Sequence, residues 1–318
     1  MKHLFIINPV AGKGKGHEVL RGDILKAAAA LNTNVEVYIT KEINGAYYYT
    51  RDFLSKLPKA SELRIYSCGG DGTLNEVVNG VVEFRHTHKI AVGCVPTGTG
   101  NDFVRNFENK NFTSMEDQIL GETIKVDLIR FKYNERAITV IRYCVNMFNI
   151  GFDCEVVYRT SKLKKYPLLN GSVVYLAGIV VTLIKKKGTN INIEFDDGTI
   201  VGGELLMVSV GNGSYCGGGL KGLPKAKVDD GLMDISMVNN IPRRAFISLF
   251  SSYSKGTHLQ RSGIDKILAY KQSKSLSIVP KAGSLRLCTD GEILETKGIK
   301  LEVEPLALDF IIPAAFAK

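Results

Sequence analysis

No apolar run in this sequence is long enough to cross a bilayer. The longest, Ser172–Ile184, falls short of the ~18–20 residues that a spanning helix needs. The N-terminal run Leu4–Ile7 is too short for the apolar part of a signal peptide. These two shortfalls predict a cytoplasmic chain without a spanning helix. Cysteine pairs at C-x-x-C spacing are missing as well. The six cysteines, Cys68, Cys94, Cys144, Cys154, Cys216 and Cys288, stand apart, several of them in strand-like apolar runs. That pattern predicts buried, reduced thiols rather than metal ligands. The five histidines are scattered, and only His86 and His88 stand close together, in a polar stretch; no transition-metal site is expected. There is no low-complexity segment, no internal repeat and no zinc-finger or RNA-recognition signature, so nucleic acid is not an expected partner. A Walker A loop, G-x-x-x-x-G-K-[ST], is absent. So is the dinucleotide fingerprint: after Gly12 and Gly14 the third glycine position holds His17.

What is present is an ordinary globular composition, 318 residues with 45% hydrophobic and 23% charged, long enough for two domains. The formal net charge of +9 favours an anionic partner such as a nucleotide or an acidic membrane surface.

The first third alternates between two periods. Leu4–Asn8, Val35–Thr40, Leu63–Cys68 and Ile90–Val95 read as strands. Between them, Leu20, Ile24, Ala27 and Leu31 fall at helical spacing, and Ala46–Leu57 reads as a helix stopped by Pro58. Leu74, Val77, Val78 and Val81 form one apolar helical face, with Thr73 and Glu76 spaced as in a capping box. Strand–helix alternation of this kind predicts a parallel sheet with helices on both faces. From about Val126 the texture changes. Val126–Phe131, Tyr143–Ile150, Ile191–Phe195, Leu205–Val210, Met233–Val238, Ser275–Val279, Leu285–Cys288 and Ile299–Val303 read as strands separated by turn signals. Ser172–Ile184 and Arg243–Ser254 read as helices within that region. The expected organisation is an α/β domain over 1–125, a mostly antiparallel β-sandwich-like domain over 126–305, and a segment 306–318 that returns to the first domain.

Four glycine turns carry the chemistry. N-P-V-A-G-K-G-K-G, Asn8–Gly16, follows a strand and opens a helix, where glycines and successive N–H groups make an anion nest; Lys13 and Lys15 add positive charge. S-C-G-G-D-G-T-L-N-E-V-V, Ser67–Val78, does the same with one carboxylate added. Asp71 would repel a polyphosphate unless a cation lay between them, and Mg²⁺ fits, binding through one or two carboxylates plus phosphate oxygens. The plainer alternative is a turn residue that favours the helix dipole. P-T-G-T-G-N-D-F, Pro96–Phe103, supplies hydroxyl and amide groups, with helix capping as the alternative for Asn101 and Asp102. Three such turns would lie at the carboxyl ends of parallel strands, where open α/β sheets bind ligands. The fourth, C-T-D-G-E, Cys288–Glu292, also reads as a plain hairpin turn.

Taken in order, N-P-x-A-G-K-G, G-G-D-G-T-L-N-E-V, P-T-G-T-G-N-D-F, V-D-D-G-L-M-D and D-G-E resemble the diacylglycerol kinase catalytic-domain family, which includes sphingosine and ceramide kinases and soluble bacterial lipid kinases. The likeness runs over nearly the whole chain. G-G-D-G alone is shared with NAD kinases and phosphofructokinases; G-G-D-G-T followed by N-E, with a distal D-G-E, is more specific. The resemblance implies an ATP- and Mg²⁺-dependent lipid kinase, most simply one converting diacylglycerol to phosphatidic acid. It implies that Asn8, Pro9, Val10, Ala11, Gly12, Thr40, Gly69, Gly70, Asp71, Gly72, Thr73, Leu74, Asn75 and Thr99 hold ATP. Asp71 would join the magnesium network at the phosphates, and Glu292 would be the base that takes the lipid hydroxyl proton. A second, structural magnesium would be held by the carbonyls of Lys227 and Leu232 and the carboxylate of Asp230, with a solvated β-turn as the alternative. A homodimer is implied by the resemblance only.

Leu163–Lys187 has an apolar middle with lysines on both sides, a pattern that suits either a buried helix or an interface with anionic headgroups. Other readings stay open at this point: a kinase of phosphatidylglycerol, a sphingoid base or undecaprenol, an NAD-kinase-like enzyme, or a non-catalytic nucleotide-binding protein.

Overall fold

The computed structural model describes residues 1–13, 16–136, 138–163, 181–183 and 187–314. The chain divides into two compact units. One comprises Met1–Leu128 with the chain from Pro305 onward; the other is Ile129–Glu304.

In the first unit, β1 (Lys2–Ile7), β2 (Val35–Ile39), β3 (Glu62–Gly69) and β4 (Lys89–Pro96) form a parallel sheet in the order β4-β3-β1-β2. Phe5 of β1 stands opposite Val37 on one side and Tyr66 on the other. This central place explains why β1 is an unbroken apolar run, buried from His3 to Ile7, whereas the edge strand β2 has no fully buried residue. The helices α1 (His17–Ala30), α2 (Gly45–Ser55), α3 (Asp71–Val82) and α4 (Met115–Leu120) connect or follow the strands. Phe5, Ile7, Tyr66, Cys68 and Val95 pack with Ile24 and Ala27 of α1 in one apolar cluster. Leu74, Val77, Val78 and Val81 of α3 are buried as a face, and Asn79 and Gly80 are buried too, because α2 packs there. A Cβ on Gly80 would stand 2.8 Å from Thr50 Cβ. The chain returns at β15 (Ile299–Ile312), whose Asp309 and Phe310 pair in parallel with Ala91 and Val92 of β4.

The expected capping box at the start of α3 does not form. Gly70 is the N-cap and offers no side chain. Thr73 Oγ1 instead accepts from Asn8 Nδ2 at 3.0 Å, and Glu76 reaches out to accept from Ala46 N at 3.0 Å. Glu76 therefore answers a free N–H at the start of α2, leaving its own helix start open.

The second unit is antiparallel. Its strands are the end of β5 (Glu122–Glu135), β6 (Ile138–Cys144), β7 (Met147–Gly151), β8 (Thr189–Phe195), β9 (Ile200–Gly211), β10 (Met233–Asn239), β11 (Leu268–Ser273), β12 (Ser275–Pro280), β13 (Leu285–Thr289), β14 (Glu292–Thr296) and the start of β15. They run in the order β14-β13-β7-β9-β8-β12-β15, with β10 on β9, β11 on β10 and β6 on β5. Ile150, Ile193, Val208, Ile235, Leu287 and Leu301 belong to its main core. Two helices, α5 (Phe152–Leu163) and α6 (Arg243–Ser254), share a second apolar cluster through Phe152, Val156, Phe246 and Leu249. The expected single strand Tyr143–Ile150 is two strands, broken at Val145–Asn146 for a reason that belongs to the site. Strands β11 and β14 and helix α5 were not expected. Of the expected helix Ser172–Ile184, all but 181–183 lies outside the described residues, as do two of the three lysines at 185–187. Among the described residues, no helix is long and apolar enough to cross a membrane.

Candidate active site

Three of the four glycine turns meet at one end of the first unit's sheet. They follow β1, β3 and β4, which are neighbours, so their turns are neighbours too. Backbone bonds tie them: Asn8 N donates to Cys68 O at 2.9 Å, and Thr97 N and Gly98 N donate to Gly69 O at 2.9 and 3.2 Å. The contacts are too close for side chains. A Cβ on Gly98 would stand 2.4 Å from Gly70 Cα, and a Cβ on Gly12, at φ 61, would stand 2.6 Å from Thr97 O. Glycine is required at both positions, by space at Gly98 and by space and left-handed backbone at Gly12.

Asp71 locks this arrangement. It is the first residue of α3, and its Oδ1 accepts from Asp102 N at 2.7 Å and Phe103 N at 3.3 Å. Its Oδ2 lies against Gly100, where a Cβ would approach to 2.7 Å. The charge is felt inside the sheet as well: burial and then Asp71 push the Cys94 thiol well above its ordinary range. Asn101, at φ 53, donates from Nδ2 to Gly98 O at 2.9 Å. Arg105 closes the loop by donating to Gly100 O from Nη2 at 3.2 Å and lying 3.6 Å from Asp102. Only a short 3-10 turn, Phe103–Asn106, follows, and no side chain caps it, so the capping alternative for Asn101 and Asp102 is not what they do.

The other residues expected at this site divide by exposure. Val10 and Thr99 are exposed; Asn8, Pro9, Ala11, Gly70, Asp71 and Gly72 are half-buried; Gly12 is exposed. Asn8 turns its Oδ1 to Val10 N at 3.1 Å, shaping its own turn. Thr40 follows β2, buried, with its N–H on Ile7 O at 2.9 Å. Leu74 is buried, and its N–H bonds Gly70 O. Asn75 is buried and accepts from Asn79 Nδ2 at 3.1 Å. Gly14 and Lys15 of the first turn lie outside the described residues.

This geometry suits a polyphosphate. The start of α3 presents backbone N–H groups that no N-cap side chain answers, under a close-packed glycine surface. It also suits a magnesium ion held jointly with phosphates. Among the described residues, no group of three His, Cys, Asp or Glu side chains could hold a metal, so a single fixed carboxylate would need phosphate oxygens and water beside it, as Mg²⁺ prefers.

In the second unit the D-G-E turn is more than a hairpin. Asp290 and Gly291 join β13 to β14 with φ 45 and 93, the two positive values of a type I′ turn. Asp290 is 5% exposed. Its carboxylate accepts from Val145 N at 2.8 Å and from Asn146 N and Met147 N, both at 3.0 Å; the Cys144 thiol donates to it at 3.3 Å. This clasp is what breaks Tyr143–Ile150 into two strands, because three consecutive N–H groups turn toward one carboxylate instead of a neighbouring strand. Two residues on, Glu292 stands half-exposed, its Oε2 3.8 Å from Arg142 Nη1 of β6. Burial raises its carboxyl above the usual range, Arg142 pulls it down and Asp290 pushes it up. Arg142 and the clasp by Asp290 had no sequence signal.

The V-D-D-G-L turn lies on the surface. Lys227, Asp229 and Asp230 are exposed, Gly231 has φ 73, and Asp230 Oδ1 accepts from Leu232 N at 3.1 Å. That bond makes an Asx turn, and the set of a carboxylate and two carbonyls remains one of hard oxygens.

A parallel α/β unit with phosphate-type turns and an antiparallel unit carrying a carboxylate hairpin define a kinase-type fold. Comparison with known proteins gives the family. Residues 2–131 match the model of the diacylglycerol kinase catalytic domain, and residues 146–312 match the YegS C-terminal NAD kinase beta sandwich-like domain. A protein named diacylglycerol kinase from Staphylococcus epidermidis is 31% identical over 290 residues, 90% of this chain and 84% of that one. One named probable lipid kinase YegS-like from Shewanella frigidimarina is 30% identical over 254 residues, 79% and 76% of the two chains. A crystal structure of a putative diacylglycerol kinase from Bacillus anthracis superposes with a TM-score of 0.73 at 24% identity, over 99% of this chain and 98% of that one, and so shares the fold. The chain belongs to the diacylglycerol kinase catalytic-domain family, a family of lipid kinase enzymes.

Proposed function

We propose that the protein transfers the γ-phosphoryl group of ATP to a lipid hydroxyl, with diacylglycerol as acceptor and phosphatidic acid as product. The observation that carries this reading is the convergence of the three glycine turns around the start of α3, with Asp71 fixed between them. Asn8–Gly12, Thr40, Gly69–Asn75 and Thr99 would hold the nucleotide. Magnesium, when bound, would neutralise phosphate charge beside Asp71. Phosphoryl transfer depends mainly on positioning and charge, and these turns supply both. An alcohol needs a base within reach. Glu292 suits that role because its raised carboxyl holds a proton better than a solvated glutamate. Lys227, Asp230 and Leu232 would hold a second, structural magnesium.

The net charge of +9 supports peripheral attachment of a cytoplasmic enzyme to an anionic membrane, and a homodimer accords with the family. The test is incubation with labelled ATP, Mg²⁺ and micelles of diacylglycerol, sphingosine, ceramide, phosphatidylglycerol or undecaprenol. Labelled phosphatidic acid is the expected product; label on another lipid moves the acceptor, and no labelled lipid at all removes the reading.

A further inference from the structure

The loop that joins β9 to β10 carries charge for which the chemistry above has no use. Between Gly211 and Val228 it holds Lys221, Lys225 and Lys227 and no carboxylate. Strand register places this loop. Met147, which opens β7, pairs with Gly211, the last residue of β9, and Asp234 of β10 pairs with Gly211 as well. Phe148 of β7 pairs with Thr289, which stands opposite Glu292 across the D-G-E turn. The β9–β10 loop and the D-G-E turn therefore leave the sheet at the same end. Asn146 ties them together. Its N–H is one of the three that Asp290 holds, and its Nδ2 donates to Tyr215 O at 2.9 Å. Its own O accepts from Asn212 N at 2.8 Å and Gly213 N at 3.2 Å.

Two lysines of the loop rest on aromatic rings. Lys221 Nζ stands 5.3 Å from the ring centroid of Tyr215, and Lys225 Nζ stands 5.8 Å from that of Tyr270, within cation–π reach. Lys255, just past the end of α6, joins them. Lys221 N donates to Ser254 O at 3.0 Å, and the Lys221 stem packs so closely that a Cβ on Gly256 would stand 2.8 Å from its Cδ. Lys56, Lys125 and Lys271 are paired with carboxylates; among the described residues, Lys221, Lys225 and Lys255 are not. Their charge is uncompensated and faces outward, since Lys225 and Lys255 are exposed. Gly217 and Gly218, between Tyr215 and Lys221, are exposed too, so no side chain there holds a surface away. Half-buried tyrosines beside unpaired lysines suit a boundary that is apolar on one side and anionic on the other.

We propose that Lys221, Lys225 and Lys255, with Tyr215, form a docking surface for the anionic headgroups of a phospholipid bilayer, and that docking there holds the D-G-E turn at the membrane. The phospholipids so bound are not the acceptor, and no bond is made or broken in them. For its purpose the proposal rests on the lipid-kinase reading, because the acceptor hydroxyl arrives from the bilayer. Lys227, whose carbonyl is assigned to magnesium above, is no part of this surface.

The test measures sedimentation of the full chain with phosphatidylcholine vesicles, with and without phosphatidylglycerol, beside the triple variant Lys221→Gln, Lys225→Gln, Lys255→Gln. A second triple variant, Lys281→Gln, Lys297→Gln, Lys300→Gln, loses the same charge from exposed lysines elsewhere in the second unit. The first should bind the anionic vesicles roughly a hundredfold more weakly, from three lysines each worth about a factor of five at such a surface. The second should lose far less, and arginine at positions 221, 225 and 255 should restore binding. Kinase assays add a readout that misfolding would not give. The first variant should show a raised KM for diacylglycerol in anionic vesicles, with kcat unchanged for a short-chain diacylglycerol dispersed as monomers. Equal loss of binding in the two triple variants would reduce the effect to net charge and overturn the proposal, as would undiminished binding by the first. A full chain that ignores anionic vesicles yet phosphorylates the short-chain acceptor also overturns it, and leaves the kinase reading intact. Binding lost as expected, with no lipid phosphorylated by the full chain, supports the surface and removes the kinase reading instead.

Discussion

Replacing Asp290 by Asn should destabilise the second unit by several kcal/mol, although the change is a single atom in size. The carboxylate accepts three backbone N–H groups at 2.8–3.0 Å and is 5% exposed. Hydrogen bonds to a charged group contribute about 1.5–3 kcal/mol each, and a buried donor left unsatisfied costs about 1–3 kcal/mol. With Asp290→Asn, the remaining carbonyl oxygen can keep Asn146 and Met147, at the lower worth of a neutral acceptor. The new NH₂ then faces Val145 N, donor against donor. Together these losses come to roughly 3–5 kcal/mol. Urea unfolding followed by circular dichroism measures it, read as a fall in midpoint at unchanged slope. Because Glu292 is only two residues beyond, kcat should fall as well in any protein that remains folded. A loss of less than about 1 kcal/mol would show that the clasp does not hold the β6–β7 bend and would refute the reasoning.

Three further outcomes follow from the same geometry. Asp71→Asn keeps an oxygen for Asp102 N and Phe103 N but removes the charge, so unfolding should shift by less than about 1 kcal/mol while activity falls at least a hundredfold; Asp71→Ala should lose stability too. Gly98→Ala, whose Cβ would stand 2.4 Å from Gly70 Cα, should abolish ATP binding measured by calorimetry, since backbone rather than a flexible side chain must move. For pH, Arg142 lowers the Glu292 carboxyl, so Arg142→Met should move the acid limb of kcat/KM to higher pH, and a limb that stays in place or moves down would remove Glu292 as the titrating base.

Asp153 gives a stability test with a definite sign. Its folded pKa of about 6 lies above the ordinary 3.8, so the folded state holds the proton more tightly than the unfolded chain does. The stability linked to that proton is present below the unfolded value and is lost as pH rises through about 6. Asp153→Asn should therefore raise stability at pH 8 by up to about 3 kcal/mol, and much less at pH 4.

The parts of this molecule that were legible in the sequence are those that local pattern determines. β1, β3 and β4 are apolar runs that lead into glycine-bearing turns, and helix α3 shows its buried face at i, i+3, i+4 and i+7, so the glycine turns could be placed in order along the chain. The parts that were not legible depend on partners distant in sequence. Asp290 and Val145 are 145 residues apart, and no local signal marks three N–H groups as waiting for a carboxylate. Glu76 and Ala46 are 30 apart, so a spacing that suits a capping box serves the neighbouring helix instead. Strands β11 and β14 alternate with many polar residues, and α5 opens with Asp153 and Glu155 around few apolar positions; their patterns are weak because each is only partly buried. Asp71 shows both sides. Its place in a glycine turn between β3 and α3 was legible, but its grip on the Pro96–Phe103 loop needed the fold.

The most direct measurement is transfer of label from γ-labelled ATP to diacylglycerol in mixed micelles with Mg²⁺, by the full chain, Asp71→Asn and Glu292→Gln, each verified as folded. The account predicts labelled phosphatidic acid from the full chain and a loss of at least a hundredfold in both variants, with ATP still bound by Glu292→Gln. Undiminished transfer by Glu292→Gln, or none by the full chain, would contradict it.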